Sequence, residues 1–112
     1  MMVATTEDQD ELILENTTTL KVARWWNRAC DIIPCNGGKD IGIQKILDYF
    51  NFNKEEAMAF GDGGNDISML KYVGTGVAMG NATDDVKAIA DYITDSVQED
   101  GIVSALKHFE IL

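Results

Sequence analysis

From residue 39 onward, apolar positions recur in two alternating rhythms. Ile43, Ile46, Leu47 and Phe50 repeat at spacings of three and four, which predicts a helix over residues 40–50 with one apolar stripe. Ala57-Met58-Ala59-Phe60 is a short apolar run that stops at Gly61; it is too brief for a helix and reads as a buried strand. Ile67, Leu70 and Val73 mark a second helix, which Gly74 ends. The alternation then repeats. Gly76-Val77-Ala78-Met79 predicts a strand with a turn at Gly80-Asn81, and Val86, Ile89 and Ala90 predict a helix begun by Thr83 as N-cap. Asp84 and Asp85 fall in the first turn of that helix, where its dipole favours anions. Tyr92-Ile93-Thr94 is a third short strand, and Ile102, Ala105, Leu106 and Phe109 line a last helix. Strands separated by helices of this length are βαβ crossovers, so the expected fold class is α/β: a partial Rossmann-like parallel sheet with flanking helices.

Residues 1–37 have a different texture. Glu11-Leu12-Ile13-Leu14-Glu15, the stretch Thr17 to Trp25, and Cys30-Asp31-Ile32-Ile33-Pro34-Cys35 are three candidate strands, with Pro34 placing the last at an edge or strand end. Gly37-Gly38 breaks the chain, which divides it into a β-rich piece over 1–37 and an α/β piece over 38–112.

Charge narrows the possible partners. Nine Lys and Arg against 19 Asp and Glu give a net charge of -10 over 112 residues, which argues against nucleic acid and anionic membrane as partners. A small phosphorylated substrate stays open, because a metal ion can reverse the local field. No apolar run approaches a membrane span, the first residues lack the features of a secretory signal, and two cysteines make no disulfide framework, so a reduced, cytoplasmic protein is expected.

The densest polar cluster is Gly61-Asp62-Gly63-Gly64-Asn65-Asp66, between a strand and a helix, where parallel sheets place their ligands. Two carboxylates four residues apart in a glycine-rich turn suit a hard cation such as Mg2+, with Asp62 the better direct ligand and Asp66 an organising or water-mediated one. The plainer alternative is a polar turn in which Asn65 or Asp66 caps the next helix. Lys39, at the start of a helix whose dipole disfavours a cation, can join that helix end in an anion site, or be a solvated surface lysine. Asn81 opens on the same sheet edge as Asp62 and either bonds the acidic loop or satisfies its own turn. The loop matches neither a P-loop, a dinucleotide fingerprint nor an EF-hand, and lone His108 with Cys30 and Cys35 offers no zinc set.

Taken together, Lys39, the segment Ala59 to Leu70, and Gly76 to Ala82 closely resemble the C-terminal half of Cof-like phosphatases of the haloacid dehalogenase superfamily. The resemblance runs on through Asp84 to Lys87, Ala90 to Thr94 and Glu99 to Ile102, and back to Arg24-Trp25 and Asp31, which look like the end of that family's cap domain. It implies a Mg2+-dependent phosphatase of sugar phosphates or other small phosphorylated metabolites. It further implies that Lys39 neutralises the phosphoryl group and the nucleophile, that Asp62 binds the metal with Asp66 as its partner, and that Asn65 helps hold loop and phosphate. Residues 1–37 then read as a cap remnant with linker, and 38–112 as the second half of the core.

The chain departs from the family pattern at the nucleophile, an Asp-x-Asp after a hydrophobic strand, usually followed by Gly-Thr. Asp8-Gln9-Asp10 has the spacing, but the residues before it make a poor buried strand and Glu11-Leu12 follows. It also lies too close to Lys39 for the missing strands and cap, and reads as a decoy. The expectation is a chain that is inactive alone, with its apolar sheet edge covered by a second copy or by a missing N-terminal half. The alternative is a non-catalytic module that pairs with another chain.

Overall fold

Two sheets form, one from each piece of the chain. The structure is a computed structural model that describes residues 2–3, 5–15 and 17–112, with no description of the side chains of residues 2, 3, 13, 25 and 26. In the first piece β1 (Met2–Val3), helix α1 (Glu7–Glu15), β2 (Leu20–Trp26) and β3 (Ala29–Pro34) follow one another, and the strands pair antiparallel in the order β1-β3-β2. The run Glu11 to Glu15, expected as a strand, is the second half of α1. Its start explains why. The Thr6 N–H donates to Gln9 Oε1 at 3.0 Å and the Thr6 hydroxyl donates to Asp8, while Glu7, Asp8 and Asp10 place negative charge at the positive end of the dipole. Asp10 then ties the helix to β2, accepting from Arg24 Nε at 2.9 Å and Nη2 at 2.5 Å.

The second piece opens with α2 (Lys39–Phe50). After a 3-10 turn at Lys54–Glu56 come β4 (Met58–Gly61), a 3-10 turn at Gly64–Asp66, α3 (Ile67–Tyr72) and β5 (Thr75–Ala78). The chain ends with α4 (Asp84–Ile89), β6 (Tyr92–Ile93) and α5 (Gly101–His108). The three strands are parallel in the order β4-β5-β6, with Phe60 opposite Val77 and Ala78 opposite Ile93. This is the α/β parallel sheet with flanking helices that the periodicity predicts. Thr83 stands at the start of α4, but its hydroxyl donates to Asp85 Oδ1 at 2.5 Å instead of accepting a helix N–H.

The core lies between this sheet and its helices. Ala59, Leu70, Val73, Ala78, Ala82 and Val86 form one buried cluster, against which Ile43 packs from α2. The rest of the apolar stripe expected on α2 is less covered: none of the helix's residues is fully buried, Leu47 is half-buried, and Ile46 and Phe50 stay about 60% exposed. The sheet ends at β4 among the described residues, so that face of the helix has no further strand to pack on. The first sheet reaches the second piece at the turn after β4, where a Cβ on Gly64 would lie 2.7 Å from the Arg24 carbonyl oxygen.

Candidate functional site

The loop after β4 is organised around Asp66. Its side chain is 7% exposed. Oδ2 accepts the backbone N–H of Asp62 at 3.0 Å and of Gly63 at 3.3 Å, and Oδ1 accepts the Lys39 ammonium. Close packing makes this possible: a Cβ on Gly61 would stand 2.6 Å from the Asp66 Cβ, so only glycine lets the strand end pass so near. Burial pushes the Asp66 carboxyl upward, but the Lys39 hydrogen bond, the two backbone N–H groups and the lysine's charge together outweigh it, and the group is held below its ordinary value. Lys39 is the first residue of α2 and its side chain is half exposed, so one part of the ammonium's surroundings is Asp66 and the rest is open.

Asp62 has the opposite setting. It is exposed at the carboxyl end of β4, and its Oδ2 accepts from Asn81 Nδ2 at 3.4 Å. Asn81 in turn accepts the Val97 N–H at 3.0 Å through Oδ1, and the Thr83 N–H donates to the Asp62 carbonyl at 3.3 Å, so the loops after β4, β5 and β6 are cross-linked at this edge. Asn65 lies with Lys39 along a cleft of about 560 Å3 between the first sheet and this loop. The structure therefore brings Lys39, Asp62, Asn65, Asp66 and Asn81 to one end of the parallel sheet, as Lys39–Asp66 and Asp62–Asn81 pairs with Asn65 on the cleft side.

A metal ion held at this loop would meet oxygen donors. Among the described residues no three His, Cys, Asp or Glu side chains converge on one point. Asp66 has both oxygens engaged, which leaves Asp62 as the carboxylate with an open side. One carboxylate at a strand end, completed by waters and phosphate oxygens, is how Mg2+ is commonly held, and the residues fit it. Soft ligands are elsewhere: Cys30 is buried in the first sheet, Cys35 is exposed, and His108 stacks on Tyr92 with centroids 4.2 Å apart.

Lys21 and Ser68 also line the cleft, and the sequence reading singled out neither. Asp31, which the resemblance assigned only to the end of the cap, lines it as well. Strand alternation is the signal that finds Lys21 and Asp31, once the pairing of β2 with β3 is known.

With this geometry in view, the comparisons with known proteins converge. The family model described as haloacid dehalogenase-like hydrolase matches residues 2–106. The chain is 42% identical over 106 residues to the protein YkrA of Bacillus subtilis, a match covering 95% of this chain and 41% of that protein. It is 44% identical over 89 residues to the 5-amino-6-(5-phospho-D-ribitylamino)uracil phosphatase YitU of the same organism, covering 77% of this chain and 33% of that protein. A solved HAD subclass IIB sugar phosphatase matches with a TM-score of 0.90 at 45% identity, covering 97% of this chain and 42% of that one. The chain thus spans about two fifths, or less, of the length of these relatives.

Proposed function

The chain belongs to the haloacid dehalogenase-like hydrolase family, and on that premise we propose that it carries the metal- and phosphate-binding half of a Mg2+-dependent phosphatase. The substrates are sugar phosphates or similar small phosphorylated metabolites. One observation carries the reading: Lys39, a buried Asp66 and an exposed Asp62 converge where β4 ends. Asp66 holds the loop by its own N–H groups and fixes the Lys39 ammonium, whose open side meets a phosphoryl oxygen. Asp62, steadied by Asn81, is the carboxylate that holds Mg2+, and Asp66 supports it from behind or through water. When bound, Mg2+ draws negative charge from the phosphoryl oxygens. Asn65 adds an amide on the cleft side.

The attacking carboxylate belongs, in this proposal, to residues outside these 112. Asp8-Gln9-Asp10 lies on α1, and Asp10 is spent on Arg24 rather than on the end of the parallel sheet. The chain alone then forms no phosphoryl-enzyme bond and releases no phosphate. A second reading, a non-catalytic module that pairs with another chain, draws on the unpaired side of β4. A cytoplasmic setting is part of the main proposal, supported by the free thiols of Cys30 and Cys35; no helix among the described residues is long and apolar enough to cross a membrane.

The experiment joins the part of YkrA that precedes the matched region to these 112 residues and measures phosphate release from a panel of sugar phosphates with Mg2+ and with chelator. Release that needs both Mg2+ and the joined segment is expected. A joined protein that folds and hydrolyses none of the panel would overturn the proposal in favour of the pairing module.

A further inference from the structure

The Arg24 side chain is held by several elements at once. Its Nε and Nη2 grip the two Asp10 oxygens at 2.9 and 2.5 Å, the two-pronged geometry that suits a guanidinium to a carboxylate. Nη1 donates to the Thr5 carbonyl at 3.3 Å and Nη2 to the Thr6 carbonyl at 3.2 Å, so the segment that enters α1 is held as well. The two charged side chains are only 13% and 18% exposed, which screens the pair less than an open surface would. The backbone of the same residue meets the second piece. A Cβ on Gly64 would lie 2.7 Å from the Arg24 carbonyl oxygen, nearer than a real Cβ comes, so the fit requires glycine. β2 bulges at this point, since Arg24 opposes Cys30 and Trp26 opposes Ala29, and a bulge bends its strand and re-aims the groups beside it. Gly64 opens the 3-10 turn whose Asp66 accepts the Asp62 and Gly63 N–H groups. Three of the four positions from 61 to 64 are glycine, so this backbone has freedom that something must restrain. Arg24 and Gly64 stand between two clefts, one lined by Lys39 and Asn65 and the other by Glu7, Thr83 and Asp85.

We propose that Arg24 is a positioning residue for the loop after β4: α1 fixes its guanidinium through Asp10, and its carbonyl then braces Gly64 so that Asp62 stays open to the cation. The Mg2+ part of this inference rests on the phosphatase reading above, and the brace itself does not. The contacts run in series. Asp10 holds the Arg24 side chain, the Arg24 carbonyl abuts Gly64, and the residues on either side of Gly64 are tied together by the Asp66 carboxylate. Removing the Asp10 charge leaves a shielded guanidinium without its anion, and β2 shifts as water reaches it. The loop then loses its stop from a distance. A methyl group at position 64 breaks the same contact from the other end, because it displaces the carbonyl directly.

The test reads amide exchange in the metal-free 112-residue chain by NMR, then Mg2+ affinity by calorimetry. In Asp10→Asn the Asp62 and Gly63 amides are expected to exchange about tenfold faster and Mg2+ to bind about fivefold more weakly. The Asp91 and Thr94 amides, bonded to Gly76 and Ala78 of β5, are expected to keep their protection, which shows the second piece folded. Asp10→Glu keeps the carboxylate and is expected to restore both loop exchange and affinity. Gly64→Ala is expected to quicken the same loop amides while those of α1 stay protected. Unchanged loop exchange in either Asp10→Asn or Gly64→Ala would overturn the brace. So would an Asp10→Glu chain no better than Asp10→Asn, or Asp91 and Thr94 amides that lose protection in step with the loop. Quickened exchange with full Mg2+ affinity would overturn the part that concerns the cation and leave the phosphatase reading standing. A parent chain that binds no Mg2+ overturns that reading, while exchange still decides the brace.

Discussion

Asp62 and Asp66 are the same side chain four positions apart, and the fold gives them different work. Asp66 is buried with both oxygens occupied by a lysine and two backbone donors, whereas the Asp62 side chain faces solvent and, among the described residues, accepts the long amide contact from Asn81. Replacing Asp66 by Asn puts an amide NH2 where one oxygen accepted, so it strands a donor and removes the charge that Lys39 answers. Asp66→Asn is expected to cost about 2–3 kcal/mol of stability, read by urea unfolding. Asp62→Asn is expected to stay within about 0.5 kcal/mol, because exposed substitutions away from such networks usually do. Its effect falls on Mg2+ affinity instead, with a loss of tenfold or more by titration of the isolated chain. Equal stability losses in the two variants, or unchanged Mg2+ binding in Asp62→Asn, would reverse this division of roles. The sequence sets Asp62 apart as the better direct ligand and Asp66 as the organising carboxylate, but the particular donors that occupy Asp66, the N–H groups of Asp62 and Gly63 with the Lys39 ammonium, leave no mark in the side-chain pattern.

At the scale of elements, α1 shows what holds the first piece and what periodicity misses. Most helices and strands from Lys39 onward follow from apolar spacing, and β4, α3, β5 and α4 do so because each places a residue in one buried cluster. In α1 the apolar residues are few, and the helix rests on its N-terminal bonds and on the Asp10–Arg24 pair, which sequence spacing does not display. The register of β2 against β3 is likewise absent from the pattern, and with it the cleft face of Lys21. The ion pair has a pH signature. The Arg24 hydrogen bond holds the Asp10 carboxyl below its ordinary value, so the unfolded chain, whose aspartates titrate near 3.9, takes up the proton first. The pair's contribution is then complete above about pH 4 and is lost as the pH falls through the lower folded value. Amide exchange in α1 is expected to quicken in that acid range, and Asp10→Asn to show the same quickening already near neutral pH. Asp66 and Asp85, also held low, lie in the second piece, so α1 amides isolate this pair. An Asp10→Asn chain with fully protected α1 amides at neutral pH would count against the ion pair as the helix's anchor.

For the whole molecule the open question is what meets β4. Among the described residues this strand pairs with β5 alone, leaving its other row of N–H and C=O groups as an edge. The segment leading into it is apolar and uncovered: Ile46, Tyr49, Phe50 and Phe52 are 58–83% exposed. In a longer relative we propose that the three fifths of the chain beyond this match cover it. In the isolated 112 residues the occupant we predict is a second copy. A two-fold axis beside β4 sets it antiparallel to its mate, so that each copy answers the other's backbone groups and the same apolar residues meet across the axis. The net charge of -10 opposes this at long range, and salt screens the repulsion without weakening the apolar contact. Sedimentation equilibrium should therefore find a species of twice 12.3 kDa that tightens as salt is raised, with the amides of Met58 to Gly61 slowed in step with its population. Joining the preceding part of YkrA should abolish that species, because both covers compete for one edge. A single 12.3 kDa species at every salt, or a dimer that survives the joined segment, would place the contact somewhere other than β4.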